Sequence, residues 1–152
     1  METEKFLYVT YIRTTAEKLW DALTKPEFTR IYWFGVTQDS TWEAGASWRM
    51  TYPDGRVTDA GDVLEVDRPR RLVLKWRNEW RPDLKAEGFS RATFELEPLG
   101  ESVKLTITHE IAAKGSTFIA AVSGGWPKIL SNLKTYLETG QALPPSSFPP
   151  KP

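Results

Sequence analysis

The chain is predicted to be α+β: a curved antiparallel sheet of about six or seven strands wrapped around a long C-terminal helix, with two short helices after strand one. Three observations predict it. From Ala46 to Ile111 apolar residues recur at every second position in successive segments, the period of half-buried strands. Near the start, Ala16, Leu19, Trp20 and Leu23 follow a helical spacing instead. From Phe118 the steps become three and four, through Val122, Trp126, Ile129, Leu130, Leu133 and Leu137. That is the stripe of one long amphipathic helix.

The elements follow in order. Phe6 to Arg13 is rich in aromatic and β-branched residues and reads as a strand. Thr14 to Glu17 has the spacing of a capping box, so a helix is expected to start there. Lys25-Pro26 stops it, and Pro26 opens a second short helix through Phe34. Trp48, Met50 and Tyr52 alternate with Ser47, Arg49 and Thr51, and Pro53-Asp54-Gly55 makes a tight turn. Val57 to Val66 is the return strand, with a bulge expected around Gly61. Three further strands alternate through Leu72, Leu74, Trp76 and Trp80, then Ala92, Phe94 and Leu96, then Val103, Leu105, Ile107 and Ile111. One face of this meander is dry and the other carries charges of mixed sign. Gly140 closes the last helix, in which Gly124-Gly125-Trp126-Pro127 predicts a kink or restart.

Composition bounds the chemistry. The chain has 152 residues, no cysteine, one histidine and seven tryptophans, and its twenty Lys+Arg balance twenty Asp+Glu. One domain over residues 1–140 is expected, followed by a proline-rich tail over 141–152 that reads as a fraying terminus. Zero cysteine removes disulfides, thiolate metal ligands and thiol nucleophiles. Charge neutrality argues against a nucleic-acid partner, and no apolar run reaches the ~20 residues of a membrane span. With no signal peptide in view, a cytoplasmic protein is expected. There is no phosphate loop, dinucleotide fingerprint or nucleophile elbow, so no cofactor or metal is implied.

Particular segments resemble a known family. They are Trp20-Asp21-Ala22-Leu23-Thr24, Gly61-Asp62-Val63-Leu64-Glu65-Val66, Pro69-Arg70-Arg71-Leu72, Leu105-Thr106-Ile107-Thr108-His109-Glu110 and, above all, Gly124-Gly125-Trp126-Pro127 followed by Leu130, Leu133-Lys134 and Leu137-Glu138. Over about residues 5 to 140 the chain resembles the START-like, birch-pollen-allergen-like (SRPBCC) superfamily. Within it, the chain looks like bacterial homologues of the activator of heat-shock protein 90 ATPase. The resemblance implies the helix-grip fold and a hydrophobic cavity between sheet and helix that takes lipid-like or aromatic molecules. It also implies an alternative, an interaction module acting on a chaperone ATPase, and it supplies no catalytic residue.

Binding rather than catalysis is the expected activity, with a hydrophobic or amphipathic small molecule as partner and a monomer or homodimer as the state. The candidate lining is Trp33, Trp48, Met50, Asp59, Trp76, Asn78, Trp80, Phe94, Ile107, His109, Phe118, Val122 and Trp126. Trp48, Trp76 and Trp80 share the inner parity of the sheet, while Trp33 and Trp42 flank a candidate mouth. These large rings line a cavity or else simply fill the core. His109 falls in phase with the dry face, where it is either a general acid or base on a polyketide-like or ester substrate or a hydrogen-bonded core histidine. Asp59 and Asn78 are expected to orient the polar end of a ligand, or Asp59 binds free amides at the bulge.

Overall fold

The structure is a computed structural model that describes residues 3–144 and residue 147. Its strands are β1 (Glu4–Ile12), β2 (Thr37–Asp39), β3 (Ser47–Thr51), β4 (Val57–Asp67), β5 (Arg71–Asn78), β6 (Ser90–Leu99) and β7 (Ser102–Ile111). They form one sheet in the order β1-β7-β6-β5-β4-β3-β2, antiparallel throughout. The helices are α1 (Ala16–Thr24), α2 (Pro26–Tyr32), α3 (Pro82–Lys85) and α4 (Thr117–Thr139). This is the α+β arrangement the patterning predicts, with two short helices after β1 and a long one last, and it is consistent with the helix-grip fold that the resemblance implies.

The apolar parity places the core. Trp48, Met50, Leu72, Leu74, Trp76, Ala92, Phe94, Leu96, Val103, Leu105 and Ile107 are buried on the face that meets α4. Phe118, Ile119, Trp126, Leu130 and Leu133 close it from the helix side. On the other face, charges of opposite sign meet across strands: Arg71 reaches Glu65 at 3.3 Å and Glu95 at 3.2 Å, and Arg91 reaches Glu65 at 3.2 Å.

Local geometry refines the sequence reading at four places. The cap of α1 is Thr15, whose Oγ1 accepts from Lys18 N at 3.2 Å. Burying Ala16 with Leu19, Trp20 and Leu23 fixes the helix phase one residue later than a Thr14 cap allows. The second helix ends at Tyr32, and Phe34 turns left-handed at φ 53°. The break in register expected around Gly61 is present on both sides of it, at Met50/Thr51 and at Val63/Glu65, while Gly61 itself sits in register between Trp48 and Trp76. Gly61 has a different purpose: a Cβ there would lie 1.7 Å from the Lys75 carbonyl oxygen, a close backbone approach that only glycine allows. Lastly, α4 runs without a restart through Gly124-Gly125-Trp126-Pro127, because the stripe from Phe118 to Leu133 packs as one continuous face.

Polar caps secure both ends of α4. Ser116 Oγ accepts from Ile119 N at 3.0 Å, and the Glu87 carboxylate accepts from Phe118 N at 3.0 Å, a negative charge at a positive helix end. Gly140, at φ 85°, donates its amide to the Tyr136 carbonyl at 2.8 Å. Beyond it the Leu143 amide donates to Asn132 Oδ1 at 2.6 Å. The rest of the expected tail, residues 145, 146 and 148–152, lies outside the described residues.

Two substitutions test these assignments by urea denaturation. Gly61→Ala should destabilise the fold by about 3 kcal/mol, since backbone must shift to admit the methyl. Thr15→Ala should cost about 1 kcal/mol while Thr14→Ala changes little; equal effects would return the cap to Thr14.

Candidate functional site

The inner face of the sheet gathers most of the candidate residues into one aromatic cluster. The Trp76 ring centroid lies 4.5 Å from Trp48, 5.1 Å from His109 and 5.8 Å from Trp126. Trp126 in turn meets Phe94 at 5.8 Å and Trp33 at 5.5 Å, and Phe118 stands edge-on to His109 at 5.1 Å. Met50 and Ile107 are buried in the same core, and Val122 is half-buried against it. At these spacings the rings touch, so they occupy the space between sheet and helix.

A hydrogen-bonded chain crosses this cluster. The Trp126 indole donates to His109 Nδ1 at 3.1 Å. An indole N–H only donates, so Nδ1 carries no proton and Nε2 carries it. Nε2 then donates to Ser90 Oγ at 2.8 Å, and Ser90 Oγ donates to the Trp76 carbonyl at 3.0 Å. Every side-chain polar atom along this relay is satisfied with the imidazole neutral, and burial pushes the His109 pKa down to about 3. Both ring nitrogens are therefore committed. In this arrangement His109 offers no lone pair to a substrate and is a core histidine that ties α4 to the sheet.

Asp59 behaves differently. Its Oδ2 accepts from the Trp76 indole at 2.7 Å, while no hydrogen bond reaches Oδ1 from the described residues. Its residue is half-buried. Desolvation raises its pKa to about 6, with a smaller push from the Glu79 charge; attraction to Trp76 and the Thr58 hydroxyl works the other way. Asp59 is thus an acid at the margin of the aromatic cluster with acceptor capacity left over.

Asn78 and Trp80 lie where β5 ends. Asn78 Oδ1 accepts from Trp80 N at 3.0 Å and from Arg81 N at 2.7 Å, so its carbonyl is spent on the turn. That turn carries Trp80 out of the strand parity, to 39% exposure. There it stands edge-on to Tyr52 at 5.3 Å, and the Arg56 guanidinium lies 3.2 Å over its ring. This Tyr52–Arg56–Trp80 rim neighbours Asp59 along the sheet, because Asp59 pairs with Asn78. Trp33 is buried on Trp126 and not at a mouth, whereas Trp42 is half-buried.

Ser90, Gln38 and Arg56 escaped the sequence reading. Ser90 shares the inward parity of Ala92 and Phe94, so a polar residue on an apolar phase was its signal. Gln38 bridges the Leu23 carbonyl and the Trp48 indole, both at 2.8 Å, but a three-residue strand has no readable period. An open groove of about 340 Å³ lies elsewhere, between Ala22, Phe28, Tyr136 and Leu137. Among the described residues no three His, Asp or Glu side chains gather to hold a metal, and no helix is long and apolar enough to cross a membrane.

His109 and Asp59 pull stability in opposite directions. His109 is depressed below its unfolded value of about 6.5, so its contribution is present above that pH and is lost as pH falls toward 3. Asp59 is raised, so its contribution is present below about pH 4 and is lost as pH rises through 6. In wild type the two trends offset between pH 4 and 7. Asp59→Asn should expose the histidine trend, with stability falling by on the order of 3 kcal/mol from pH 7 to pH 4. A flat profile in that variant, followed by urea melts, would contradict the neutral buried imidazole.

Solved structures share this fold. The Aha1 dimer from Colwellia psychrerythraea matches with a TM-score of 0.72 at 18% identity, over 91% of this chain and 99% of that one. An HSP90 activator from Plasmodium falciparum matches with a TM-score of 0.71 at 20% identity, over 88% and 95%. DynU16, from the dynemicin biosynthetic locus, matches at 0.71 and 23% identity, over 91% of this chain and 48% of its own. No curated relative matches by sequence. The sequence profile described as Activator of Hsp90 ATPase homolog 1-like protein matches residues 13–138, and the chain belongs to that family.

Proposed function

We propose that the protein binds an apolar or amphipathic small molecule between the sheet and α4, with the ligand entering at the Tyr52–Trp80 rim and its polar end meeting Asp59. One observation carries this reading. Of the three inward polar candidates, His109 and Asn78 have spent their acceptors within the chain, and only Asp59 keeps a carboxylate oxygen beside an aromatic interior. A few convergent polar groups against an apolar wall is the usual composition of a small-molecule site. The rings fill the centre, so the ligand body takes its place by shifting Trp76, Phe118 and Val122 and not by dropping into a void. Preferred ligands carry a hydroxyl or amine on an aromatic or aliphatic body.

A second reading is favoured by the family itself. The family description and the Plasmodium neighbour point to a module that stimulates a chaperone ATPase. On that reading the surface acts and the interior only supports it. ATPase assays with the host's own heat-shock protein 90 separate the two, since stimulation unaffected by interior substitutions belongs to the surface. The state of assembly in this reading is a homodimer, as described for the Colwellia relative.

Tryptophan fluorescence and native mass spectrometry against lipids and aromatic amines test the binding reading. Asp59→Asn should weaken an amine-bearing ligand by about tenfold, the worth of one charge-assisted hydrogen bond, and leave a purely apolar ligand unchanged. Wild-type affinity for the amine should fall as pH drops below 6, where Asp59 takes up its proton. Binding of no ligand at all would overturn the binding reading, and an equal loss for both ligand types would refute the assignment of Asp59.

A further inference from the structure

β4 places two polar groups where a regular strand would place one. In the pairing with β3, Met50 faces Asp59 and Thr51 faces Val57, which leaves Thr58 as an extra residue opposite no residue of β3. Neighbours in a regular strand point to opposite faces, but an inserted residue bends the strand and re-aims its side chain. Burial and contact bear the marks of this. Thr58 is only 7% exposed, and its hydroxyl acts on the Asp59 carboxylate, which takes the Trp76 indole on the inner face. The bulge has turned Thr58 toward the side of the sheet that Asp59 occupies.

What the two groups have left over is alike. Asp59 Oδ1 receives no hydrogen bond from the described residues, and the Thr58 hydroxyl oxygen is sealed from solvent with no partner at full hydrogen-bond geometry. A hydroxyl has one proton and two lone pairs. The Thr58 proton is drawn to the neighbouring carboxylate, so its remaining capacity, like that of Oδ1, is to accept. Charge points the same way. Glu79, a second carboxylate, acts on Asp59, while Arg56, the cation of the rim, is held by Asp54 at 3.0 Å. The pair therefore offers two acceptors in a negative setting, and a buried acceptor left empty is costly.

We infer that Thr58 and Asp59 form a paired acceptor for a primary ammonium group, with Thr58 as the residue that sets the ligand class. The inference rests on the binding reading above and narrows the ligand's polar end from a hydroxyl or amine to a primary ammonium. A primary ammonium has several N–H donors on one nitrogen, so it reaches Asp59 Oδ1 and Thr58 Oγ1 together. A tertiary ammonium has the same charge but a single N–H, and an alcohol has a single O–H and no charge. Each leaves one acceptor of the pair empty in a closed site. A carbonyl or carboxylate end has nothing to donate and is rejected. Trp76, a ring that moves to admit the ligand body, is also the one bonded to Asp59, so entry of the body and uncovering of the pair are one step.

Fluorescence titrations of the full chain at neutral pH test this with phenethylamine and octylamine, each beside its N,N-dimethyl analogue and the matching alcohol. Wild type should bind each primary amine about tenfold more tightly than its dimethyl analogue or alcohol, the worth of one further hydrogen bond from a charged donor. Thr58→Val keeps the branched shape and removes the hydroxyl. It should erase the preference over the dimethyl analogue by weakening the primary amines alone, whereas Thr58→Ser should keep it. In the free protein Thr58→Val should raise Tm by about 3 °C, because it removes an unsatisfied buried hydroxyl. No binding of either body in any form would overturn the binding reading and the inference together. Binding without preference for the primary amines, or an equal loss of both amine types in Thr58→Val, would overturn the Thr58 assignment alone. A Thr58→Val variant that melts lower would do the same, since the hydroxyl would then be satisfied already in the free protein.

Discussion

The contact on which the rest of the structure depends is the hydrogen-bonded chain from the Trp126 indole through His109 and Ser90 to the Trp76 carbonyl. Hydrophobic burial brings α4 onto the sheet, yet burial alone has no direction and tolerates rotation and sliding. A donor that must meet Nδ1, and an Nε2–H that must meet Ser90, remove that freedom. An unpartnered imidazole or indole in this interior would cost about 1–3 kcal/mol, so alternative positions of the helix are penalised twice. The same device recurs at other seams. Gln38 ties β2 to α1 and Trp48, and Asn132 ties α4 to the Tyr32 carbonyl and the Leu143 amide. Tyr32 OH donates to the Ala22 carbonyl at 2.7 Å. Each of these joints holds one buried polar side chain with its partners satisfied.

That rule divides the inner-face polar groups into those that build and those left over. His109, Ser90, Gln38 and Asn78 are consumed by the fold. Asp59 is consumed only by half, and it sits at the end of the aromatic cluster, where the interior meets solvent beside a cation-stacked ring. A filled centre and an open margin are compatible with binding when ring rotation is cheaper than moving backbone.

The sheet was legible because period two persisted through four segments with a clean mixed-charge outer face, and α4 was legible because its stripe ran unbroken from Phe118 to Leu137. β2 and α3, of three and four residues, are shorter than any period can declare. Thr14 and Thr15 are both competent caps, and only the burial phase of Ala16 chooses between them. Around Gly61 the register breaks as the pattern suggests, but the glycine itself answers a close backbone approach, a demand that alternation cannot tell from a bulge. At the site, parity placed Trp48, Trp76, Phe94 and His109 correctly. It failed for Trp80, because Asn78 ends the strand through its own side chain, a local hydrogen bond that alternation does not record.

Charge explains what kind of contact this surface is suited to make. Arg71, Glu65, Glu95 and Arg91 neutralise one another on the outer face, and Arg77 is held by Glu79 at 2.6 Å. With twenty charges of each sign and these paired locally, no broad field remains to steer a charged partner over distance. Recognition must then come from short-range terms: burial of apolar area and hydrogen bonds that need close geometry. The Asp59 rim has such capacity to spare, with a carboxylate oxygen that no hydrogen bond reaches from the described residues. The buried Thr58 hydroxyl, next to Asp59 in the chain, meets no partner at full hydrogen-bond geometry and acts on the Asp59 carboxylate only as a weaker attraction. The rest of the interior is satisfied, and its rigidity keeps those open groups in place.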